Sequence, residues 1–532
     1  MLLRDIVARG AQDYGDNTAL IFRDQEVTYT DLSRTVHGIA LGLLSLGLRK
    51  GDRIGLLMMN CTAFVYLYHA AQQIGIVPVP VNPSLKPPEL EFIWGDADIR
   101  LVAVAGPHLL ANAQAARQNL PRLEHIVSIQ PVEELPDPGA AASIPGFITL
   151  PDLIAKGLAS EQGPDAPGPE LVTPDIDENV VAVIMYTAGT TGRPKGAMLS
   201  HKNLTTNLQQ VRHIVDFSES DRFLTVLPLF HSFAGTICMN LVIWLGACSV
   251  LMESFTPNRA FEYIERYRIT KFCGVPALFH AMLQHPPDRD YDLSTLELFV
   301  SGGAPLPAHT LKAVEERFGV IVLEGDGPTE CSPVTSVNPQ HGQRKLGSIG
   351  PALPGVTYGI VDDDDNLQPA RQIGEIVVKG DNVMLGYLNQ PEATAEAMKH
   401  GWYHTGDVGF LDEDGYCYIV DRKKDMIITA GMNVYPREVE DVLFAHPAVA
   451  NVAVIGLPDA MRGEEVVAVI VLRPDASATE RELKAFCRAR LANFKSPGRV
   501  IFRHTLPIGG TGKVIKRLLK KELELEGQEA SH

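Results

Sequence analysis

A loop rich in glycine and threonine places the tightest constraint on how this chain folds. It covers residues 186–196, YTAGTTGRPKG, and follows the apolar run 180–185, which predicts a buried strand. Glycines let a backbone approach a phosphate closely, while threonine hydroxyls, N–H groups and the Lys195 ammonium can bind its oxygens. The pattern predicts a polyphosphate-binding loop, and a surface turn of the same composition is the alternative.

The loop is not of the Walker type. From Gly189, the Walker spacing requires glycine at position 194 and serine or threonine after Lys195, but the chain has Pro194 and Gly196 at these places. A different arrangement of backbone and side chains must therefore hold the phosphates.

Chain length and composition predict a soluble protein with more than one domain. A chain of 532 residues is too long for one hydrophobic core, and 45% hydrophobic with 21% charged residues is typical of globular proteins. The first residues, MLLRDIVARGAQDYGD, predict an amphipathic helix and not a signal peptide, and the apolar segment 237–252 is too short and mixed to span a bilayer. The seven cysteines show neither a CxxC pair nor zinc-ligand spacing, which favours a reduced, cytoplasmic environment.

The net charge of −17 argues against nucleic acid as a partner. The charge is uneven, because residues 424–532 contain 16 Lys+Arg and 14 Asp+Glu, so the negative excess lies in residues 1–423. Between Lys484 and Lys521 there are 11 basic residues and no acidic residue. This stretch predicts either a solvated basic face or a cationic surface for polyanionic ligands.

Hydrophobic periodicity predicts an α/β architecture for the first part of the chain. Residues 1–130 alternate between helical and strand patterns, which favours a parallel sheet with crossover helices. Examples are a helix opening at Asp31, a strand at 53–58 and a helix at 62–74. Residues 130–178, rich in proline, glycine, alanine and acidic residues, predict a surface connection that is partly mobile. The α/β pattern then resumes to about residue 337, with a helix at 201–215 and a strand at 223–227.

The pattern changes after residue 345. Short strands separated by turns predict a small β-rich subdomain up to about residue 420, with a solvated acidic turn at 362–365 and a hairpin turn at 412–415. Five consecutive charged residues at 421–425 mark a boundary. The segment beyond it predicts a compact α+β domain with helices at 436–445 and 479–492 and strands at 449–455 and 464–472.

The predicted fold class is therefore α/β. A large N-terminal domain of parallel sheets with a small β-rich subdomain would span residues 1–423. A small mobile α+β domain would span residues 424–532.

Several further segments, in order along the chain, resemble the adenylate-forming superfamily, which contains acyl-CoA synthetases, luciferases and amino-acid-activating domains. They are LPLFHSFAG at 227–235, SGGAPLP at 301–307, EGDGPTE at 324–330, GEIVVKGDNVMLGY at 374–387, GWYHTGD at 401–407, DRKKDMIITAGMNVYPREVE at 421–440 and TGKVIKR at 511–517. The resemblance spans nearly the whole chain.

The resemblance implies a role for each motif. The glycine- and threonine-rich loop would bind the β- and γ-phosphates of ATP, Thr329 the α-phosphate, and Glu330 with Thr190 the Mg²⁺ ion. Residues 302–304 would line the adenine site, and Asp407 would bind the ribose hydroxyls. The implied nucleotide-binding residues are Thr187, Ala188, Gly189, Thr190, Thr191, Gly192, Lys195, Gly302, Gly303, Ala304, Glu324, Gly325, Asp326, Thr329, Asp407, Arg422, Asn433 and Lys513.

The same resemblance assigns catalytic and conformational residues. Lys513 would be the catalytic lysine that bridges the substrate carboxylate and phosphate oxygens, and Lys424 would be the hinge of a rotating C-terminal domain. Coenzyme A would contact the loop 429–433, notably Gly431, and Asn433 would meet the nucleotide phosphate. Two structural alternatives stay open: Thr329 as a helix cap with Glu330 in the first turn, and Lys513 as one more residue of a basic face.

Two positions depart from the superfamily pattern. Asp326 stands where an aromatic residue is usual, so adenine would lose a stacking partner and a carboxylate would face its amino group or point elsewhere. Ala188 stands where serine is common, which removes one hydroxyl donor and leaves the N–H group.

His231, in PLFH, occupies the mouth of the acid pocket by this resemblance and completes the implied catalytic set with Lys513, Thr329 and Glu330. Amino-acid-activating relatives usually have aspartate there to hold the ammonium group, so its absence argues against an α-amino acid. A core histidine is the alternative interpretation of His231. The pocket would draw on 233–244, 299–303 and 327–334.

The implied reaction is that of an AMP-forming acyl-CoA synthetase using ATP, Mg²⁺ and coenzyme A as co-substrate. Its carboxylic acid is expected to be a medium- or long-chain fatty acid, because residues 401–438 look like bacterial fatty-acyl-CoA ligases. The alternatives are an aryl-CoA ligase of the coumarate or benzoate type, an acyl-AMP ligase that loads a carrier protein, and a catalytically inactive nucleotide-binding protein. A peripheral membrane contact and a homodimer stay open.

Overall fold

The computed structural model describes residues 2–135, 137–159, 175–187, 193–285, 288–430, 432–459, 461–508 and 514–529. The chain divides into two compact units. Unit 1 consists of Met1–Leu346, Gly350–Thr357 and Lys379–Tyr403, and unit 2 of Gly347–Ile349, Tyr358–Val378 and His404–His532. Unit 2 thus combines the β-rich segment with the C-terminal part of the chain, and the domain boundary after residue 423 stays a prediction.

The largest sheet of unit 1 has eight strands among the described residues, and its central pairs are parallel. The edge strands β2 and β15 run antiparallel to their neighbours. In sheet order the strands are β15 (Ser336–Val337), β14 (Ile321–Asp326), β13 (Leu298–Ser301), β12 (Lys271–Gly274), β10 (Arg222–Thr225), β11 (Cys248–Leu251), β1 (Thr18–Phe22) and β2 (Gln25–Thr28). One of its faces carries an aromatic core in which the Phe272 and Phe299 rings lie 5.2 Å apart.

A second sheet of unit 1 is wholly parallel in the described part of the chain. Its order is β4 (Val77–Pro80), β3 (Arg53–Leu57), β5 (Leu101–Val104), β6 (His125–Ser128) and β7 (Phe147–Thr149). Strands β4, β3 and β5 are buried on both faces, as expected for parallel strands covered by helices. The predicted parallel α/β architecture is confirmed.

A third sheet of unit 1 is small and antiparallel. Strand β8 (Val181–Thr187) pairs with β9 (Lys195–Ser200), which pairs in turn with β19 (Gly386–Tyr387). The predicted buried strand before the glycine- and threonine-rich loop is confirmed, since Ala182, Val183 and Ile184 are buried. A further short strand, β16, covers Gly350–Pro351.

Helices cover the sheets of unit 1. They are α1 (Ile6–Tyr14), α2 (Tyr29–Ser45), α3 (Thr62–Gln73), α4 (Pro87–Asp96), α5 (Pro107–Arg117), α6 (Pro138–Ala142), α7 (Leu150–Ala159), α8 (His201–Arg212), α9 (Val242–Leu245), α10 (Pro257–Tyr267), α11 (Pro276–Gln284), α12 (Ala308–Phe318) and α13 (Pro391–Ala397). Short 3₁₀ helices lie at Leu3–Asp5, Val132–Glu134, Thr329–Cys331 and Lys399–Gly401, and a π-helix at Ala234–Leu241. No described helix is long and apolar enough to cross a membrane.

Capping side chains determine where two of these helices begin. The Ser200 side chain accepts from the Asn203 N–H at 3.0 Å and the Asn203 side chain accepts from the Ser200 N–H at 2.8 Å, so α8 starts in a reciprocal capping box. The Thr28 side chain accepts from the Asp31 N–H at 3.1 Å, so α2 begins two residues before the predicted Asp31.

The interpretation of residues 130–178 as a surface connection is wrong for residues 147–159. Strand β7 extends the parallel sheet, and α7 packs against α2 with Leu150 and Leu153 buried. A Cβ atom at Gly157 would lie only 2.0 Å from the Gly38 carbonyl oxygen. The small residues that resemble a loop composition therefore permit close contact between two helices.

Unit 2 contains a sheet in which β21 (Tyr416–Arg422), β20 (Tyr403–Leu411), β18 (Gly374–Lys379) and β17 (Thr357–Val361) are neighbours, with β20 and β21 antiparallel. A second sheet contains β23 (Met432–Val434), β22 (Ile427–Thr429), β25 (Gly463–Leu472) and β24 (Val449–Asp459), with β26 (Arg499–Phe502) paired to β25. Its helices are α14 (Pro436–Phe444), α15 (Glu480–Arg488) and α16 (Lys516–Glu529), with 3₁₀ turns at Lys423–Asp425 and Asn493–Lys495. The predicted turns at 362–365 and 412–415 are confirmed, since Asp362 and Asp412 accept N–H groups within their own turns.

Candidate active site

The glycine- and threonine-rich loop connects two antiparallel strands. Thr187 ends β8 and Lys195 begins β9, and the two residues are paired directly across the hairpin. The Tyr186 hydroxyl donates to Asp96 Oδ2 at 2.6 Å and so ties the base of the hairpin to α4, a contact that sequence reasoning missed. Ala188, Gly189, Thr190, Thr191 and Gly192 lie outside the described residues.

The Glu330 carboxylate lies beside the end of β8 in this hairpin. Its side chain is 7% exposed, and its Oε1 accepts from the Thr187 hydroxyl at 3.2 Å and from the Tyr387 hydroxyl at 2.9 Å. The Lys195 ammonium lies 5.0 Å from the centroid of the Tyr387 ring. The structure therefore brings together Thr187, Lys195 and Glu330, which are far apart in sequence.

Glu330 fits the role predicted for it toward Mg²⁺. Among the described residues, no group of three or more His, Cys, Asp or Glu side chains could hold a metal ion by itself. Magnesium usually binds through one or two carboxylates and the phosphates of its substrate, so a single buried carboxylate beside a phosphate hairpin is a suitable donor set.

Thr329 and the PLFH segment meet next to Glu330. The Thr329 and Ser232 hydroxyls lie 3.0 Å apart, which joins the segment 324–330 to the segment 227–235. The interpretation of Thr329 as a helix cap is wrong, because the 3₁₀ turn begins at Thr329 itself and Pro328 precedes it.

His231 lies at the start of the segment that leads into the buried π-helix. Its Nδ1 accepts the N–H of Phe233 at 3.3 Å. The ring is half-buried, whereas the π-helix that follows at 234–241 is buried throughout. His231 is therefore placed between an accessible surface and an apolar interior, which suits the entrance of an acid pocket better than a core position.

The predicted adenine segments lie at the carboxyl ends of two neighbouring parallel strands. Ser301 of β13 is paired with Glu324 of β14, so Gly302, Gly303 and Ala304 follow directly beside Gly325 and Asp326. This edge of a parallel sheet is where ligands commonly bind in α/β proteins. A Cβ at Gly302 would lie 3.1 Å from the Phe233 ring, so the adenine segment and the acid segment are in close contact.

Glu324 and Asp326 are held in different ways. Glu324 is 4% exposed, and its carboxylate accepts the N–H of Leu306 at 2.9 Å, so it shapes the 302–306 loop. The Asp326 main-chain carbonyl accepts from the N–H and the hydroxyl of Thr335 at 2.9 and 3.0 Å, while its side chain is half-buried. The backbone of Asp326, a residue that differs from the superfamily pattern, is thus well fixed.

Unit 2 carries the predicted ribose-binding residues. Asp407 and Arg422 are paired across β20 and β21, and Arg422 Nε lies 3.3 Å from Asp407 Oδ1. The predicted hinge Lys424 and Asn433 are both exposed. Gly431 and Lys513 lie outside the described residues.

A buried ion pair in unit 2 was missed by sequence reasoning. Lys516, the first residue of α16, places its Nζ 2.8 Å from Glu440 Oε1 on α14, and Glu440 also accepts the N–H of Val454 at 2.7 Å. Burial raises the pKa of the Glu440 carboxyl, and the Lys516 charge opposes this shift. The pair holds the start of α16 against α14, three positions after Lys513 in the sequence.

Acidic residues from other segments lie beside many basic side chains of the stretch 484–521, which therefore carries less net positive charge than the sequence predicted. Six of its basic side chains form ion pairs with acidic residues outside the stretch: Lys484 with Glu480, Lys495 with Glu438, Arg499 with Glu465, Arg503 with Glu526, Lys516 with Glu440 and Lys520 with Glu464. These partners lower the net charge of the surface that the sequence predicted.

The Thr187 hydroxyl donates to the buried Glu330 carboxylate, and a glycine-containing loop follows at the edge of a parallel sheet, an arrangement that suits a nucleotide. The chain belongs to the family of AMP-binding enzymes: the model of that family matches residues 7–388, and the model of the AMP-binding enzyme C-terminal domain matches residues 438–513. The predicted superfamily membership is confirmed.

Relatives cover almost the whole chain. It is 36% identical to a long-chain-fatty-acid–CoA ligase of Bacillus subtilis (strain 168) over 98% of this chain and 95% of that protein. It is 37% identical to a feruloyl-CoA synthase of an Amycolatopsis species over 94% of each. The crystal structure of ATP-bound MatB from Rhodopseudomonas palustris superposes with a TM-score of 0.86 at 32% identity, covering 98% of this chain and 99% of that one. The family of AMP-binding acyl-CoA ligases uses ATP, Mg²⁺ and coenzyme A, as the sequence predicted.

Proposed function

We propose that this chain is an AMP-forming acyl-CoA synthetase that activates a medium- or long-chain fatty acid. The acid and ATP form an acyl-adenylate and pyrophosphate, and the thiol of coenzyme A then displaces AMP. The observation that carries the proposal is that the Thr187 hydroxyl donates to the buried Glu330 carboxylate, with Lys195 beside the ring of Tyr387, which also donates to this carboxylate. The relatives of similar length are acyl-CoA ligases.

Charge neutralisation is the first task of this site, because a carboxylate and a polyphosphate repel each other. Lys195 and the hydroxyl and N–H donors of the hairpin bind the β- and γ-phosphates, and Thr329 binds the α-phosphate. Glu330 would hold Mg²⁺, which would supply positive charge to offset that of the pyrophosphate. Asp407 binds the ribose, and Lys513 bridges the acid and the phosphate oxygens.

The acid is bound between His231 and the apolar π-helix at 234–241. This environment has no acidic side chain at position 231 to hold an ammonium group, so α-amino acids are poor substrates. A long alkyl chain gains about 0.8 kcal/mol for each CH₂ group that it buries, which is roughly a fourfold gain in affinity per carbon. The similarity to a feruloyl-CoA synthase keeps an aryl acid as the second candidate.

Thioester formation requires the C-terminal domain, residues 424–532, to change its orientation about Lys424. Coenzyme A then contacts the loop at 429–433, notably Gly431, and Asn433 meets the nucleotide phosphate. The cytoplasm is the compartment that suits the seven cysteines, which are all free and buried.

Pyrophosphate release tests the proposal directly. Saturated acids of roughly four to sixteen carbons should give a kcat/KM that rises about fourfold per carbon until the pocket ends, and they should exceed benzoate, cinnamate, ferulate and α-amino acids. Omitting coenzyme A should leave the enzyme loaded with adenylate after one turnover. Flat activity across chain length, or a preference for ferulate, would overturn the assignment of the acid. A requirement for a carrier protein would overturn the assignment of coenzyme A as the acyl acceptor.

A further inference from the structure

Two buried tyrosines outside the predicted site residues lie beside Glu330. The Tyr387 hydroxyl donates to Glu330 Oε1 at 2.9 Å, and the Tyr403 hydroxyl lies near the Tyr387 hydroxyl. Tyr387 and Tyr403 are 8% and 4% exposed. A hydrogen bond to a carboxylate that is shielded from water is stronger than one at the surface.

The backbone of Tyr387 is fixed beside the phosphate hairpin. Tyr387 is paired with Ala197 on β9, and the N–H of the next residue, Leu388, donates to the Gly196 carbonyl at 2.8 Å. The Tyr387 N–H donates to the Thr394 hydroxyl at 2.9 Å. The phenol therefore extends to Glu330 from the same strand pair that carries Lys195.

Glu330 itself is held from its main chain and its side chain. Its carbonyl accepts the N–H of Met384 at 2.7 Å, and the two hydroxyls of Thr187 and Tyr387 both meet Oε1. Burial, and next the charge of Glu330, raise the pKa of the Tyr387 phenol, so the phenol stays protonated and donates at neutral pH.

We propose that Tyr387 is a positioning residue for the Mg²⁺-binding carboxylate of Glu330, with Tyr403 supporting it from behind. Its hydroxyl holds the carboxylate in one orientation, and its ring centroid lies 5.0 Å from the Lys195 ammonium. Partners of this kind change metal affinity by about 10- to 100-fold when they are removed, because the ligand loses its orientation.

The inference rests on the proposed ATP- and Mg²⁺-binding role of the site, and its test uses no acid and no coenzyme A. ATP binding to the full-length protein is measured by calorimetry in EDTA and in excess Mg²⁺. The ratio of the two dissociation constants reports how strongly the site couples the nucleotide to the metal. In Tyr387→Phe this ratio should fall by about tenfold or more, while the affinity for ATP in EDTA should change little.

Matched variants separate the hydroxyl from the ring and from general packing. Tyr29→Phe removes another buried hydroxyl, which donates to the Ala247 carbonyl at 2.7 Å in the interior of unit 1, and it should keep the wild-type ratio. Tyr387→Leu also removes the ring at Lys195, so it should weaken ATP binding in EDTA as well. Tyr403→Phe should lower the ratio in the same direction as Tyr387→Phe, but by less.

The outcomes decide between metal positioning and simple packing. A wild-type ratio in Tyr387→Phe would overturn the proposal, and so would an equal loss of ATP binding with and without Mg²⁺. If Tyr387→Phe does not fold, Tyr387→Leu decides, because it too lacks the hydroxyl: a wild-type ratio there refutes the proposal. Failure of the fatty-acid assay leaves this measurement intact, because ATP and Mg²⁺ bind before any acid is activated.

Discussion

Acid sensitivity of unit 1 should depend on His69. This histidine lies on α3, is 2% exposed, and neither of its ring nitrogens has a hydrogen-bond partner among the described residues. Burial lowers the pKa of His69 from its ordinary value of 6.5 to about 3. The folded chain therefore keeps the ring neutral under conditions in which the unfolded chain protonates it.

The sign and size of the effect follow from proton linkage. Between about pH 3 and pH 6.5 the unfolded chain binds more protons than the folded chain, so stability is lost as the pH falls through this window. Each pH unit in the window costs about 1.4 kcal/mol. At about pH 5, roughly 1.5 units below the ordinary pKa, His69 should lower the free energy of unfolding by about 2 kcal/mol relative to its value at about pH 7.5.

The measurement is urea unfolding of the wild type and of His69→Leu at both pH values. The three tryptophans, Trp94, Trp244 and Trp402, all lie in unit 1, so their fluorescence reports this unit. The free energy of unfolding of the wild type should fall by about 2 kcal/mol more than that of His69→Leu when the pH is lowered from about 7.5 to about 5. Other groups contribute equally to both proteins, including His201, whose pKa burial lowers to about 4.

An internal control comes from the alkaline side, where the ring is neutral in both folded and unfolded chains. Between about pH 7.5 and pH 8.5 the two proteins should therefore show parallel changes in unfolding free energy. Identical pH dependence down to about pH 5 would refute the reasoning, because it would mean that His69 gains its proton without unfolding.

Two further predictions concern the reaction. Lys513→Ala should abolish adenylate formation and leave thioester formation from synthetic acyl-adenylate largely intact, and Lys424→Pro, which fixes φ near −65° and removes an N–H, should spare only one half-reaction. Equal damage to both half-reactions in Lys513→Ala, or full turnover by folded Lys424→Pro, would contradict the alternating orientations. Asp326→Ala should raise the KM for ATP and weaken discrimination against GTP if the carboxylate binds the adenine amino group; unchanged values for both nucleotides would show that Asp326 does not contact the base.

Local chemistry, and with it most of the fold class, could be predicted from the sequence alone. The apolar run before the phosphate loop, the alternation of strands and helices, and the turns at Asp362 and Asp412 depend on neighbouring residues, and the structure confirms them. The family could also be predicted from the sequence, because its motifs are short contiguous segments.

Packing between distant segments could not be predicted in this way. The stretch 147–159 looked like a loop because glycine and alanine suit loops, but the same residues allow α7 to approach the α2 backbone at Gly38. The basic stretch 484–521 looked strongly cationic, but its counter-charges come from residues as distant as Glu438. Composition describes what a segment contains and not what lies beside it.

The sequence by itself determined which chemical groups this protein has for binding a polyphosphate, a metal and an acid. Only the tertiary structure decided that Thr187 and Tyr387, 200 positions apart, donate to the same oxygen of Glu330. A hydrogen bond needs donor and acceptor within about 3 Å, and that distance is set by how separate strands are paired, not by spacing along the chain. This is why the motif that contains Glu330 could be recognised in the sequence, whereas its hydrogen bond with Tyr387 could not.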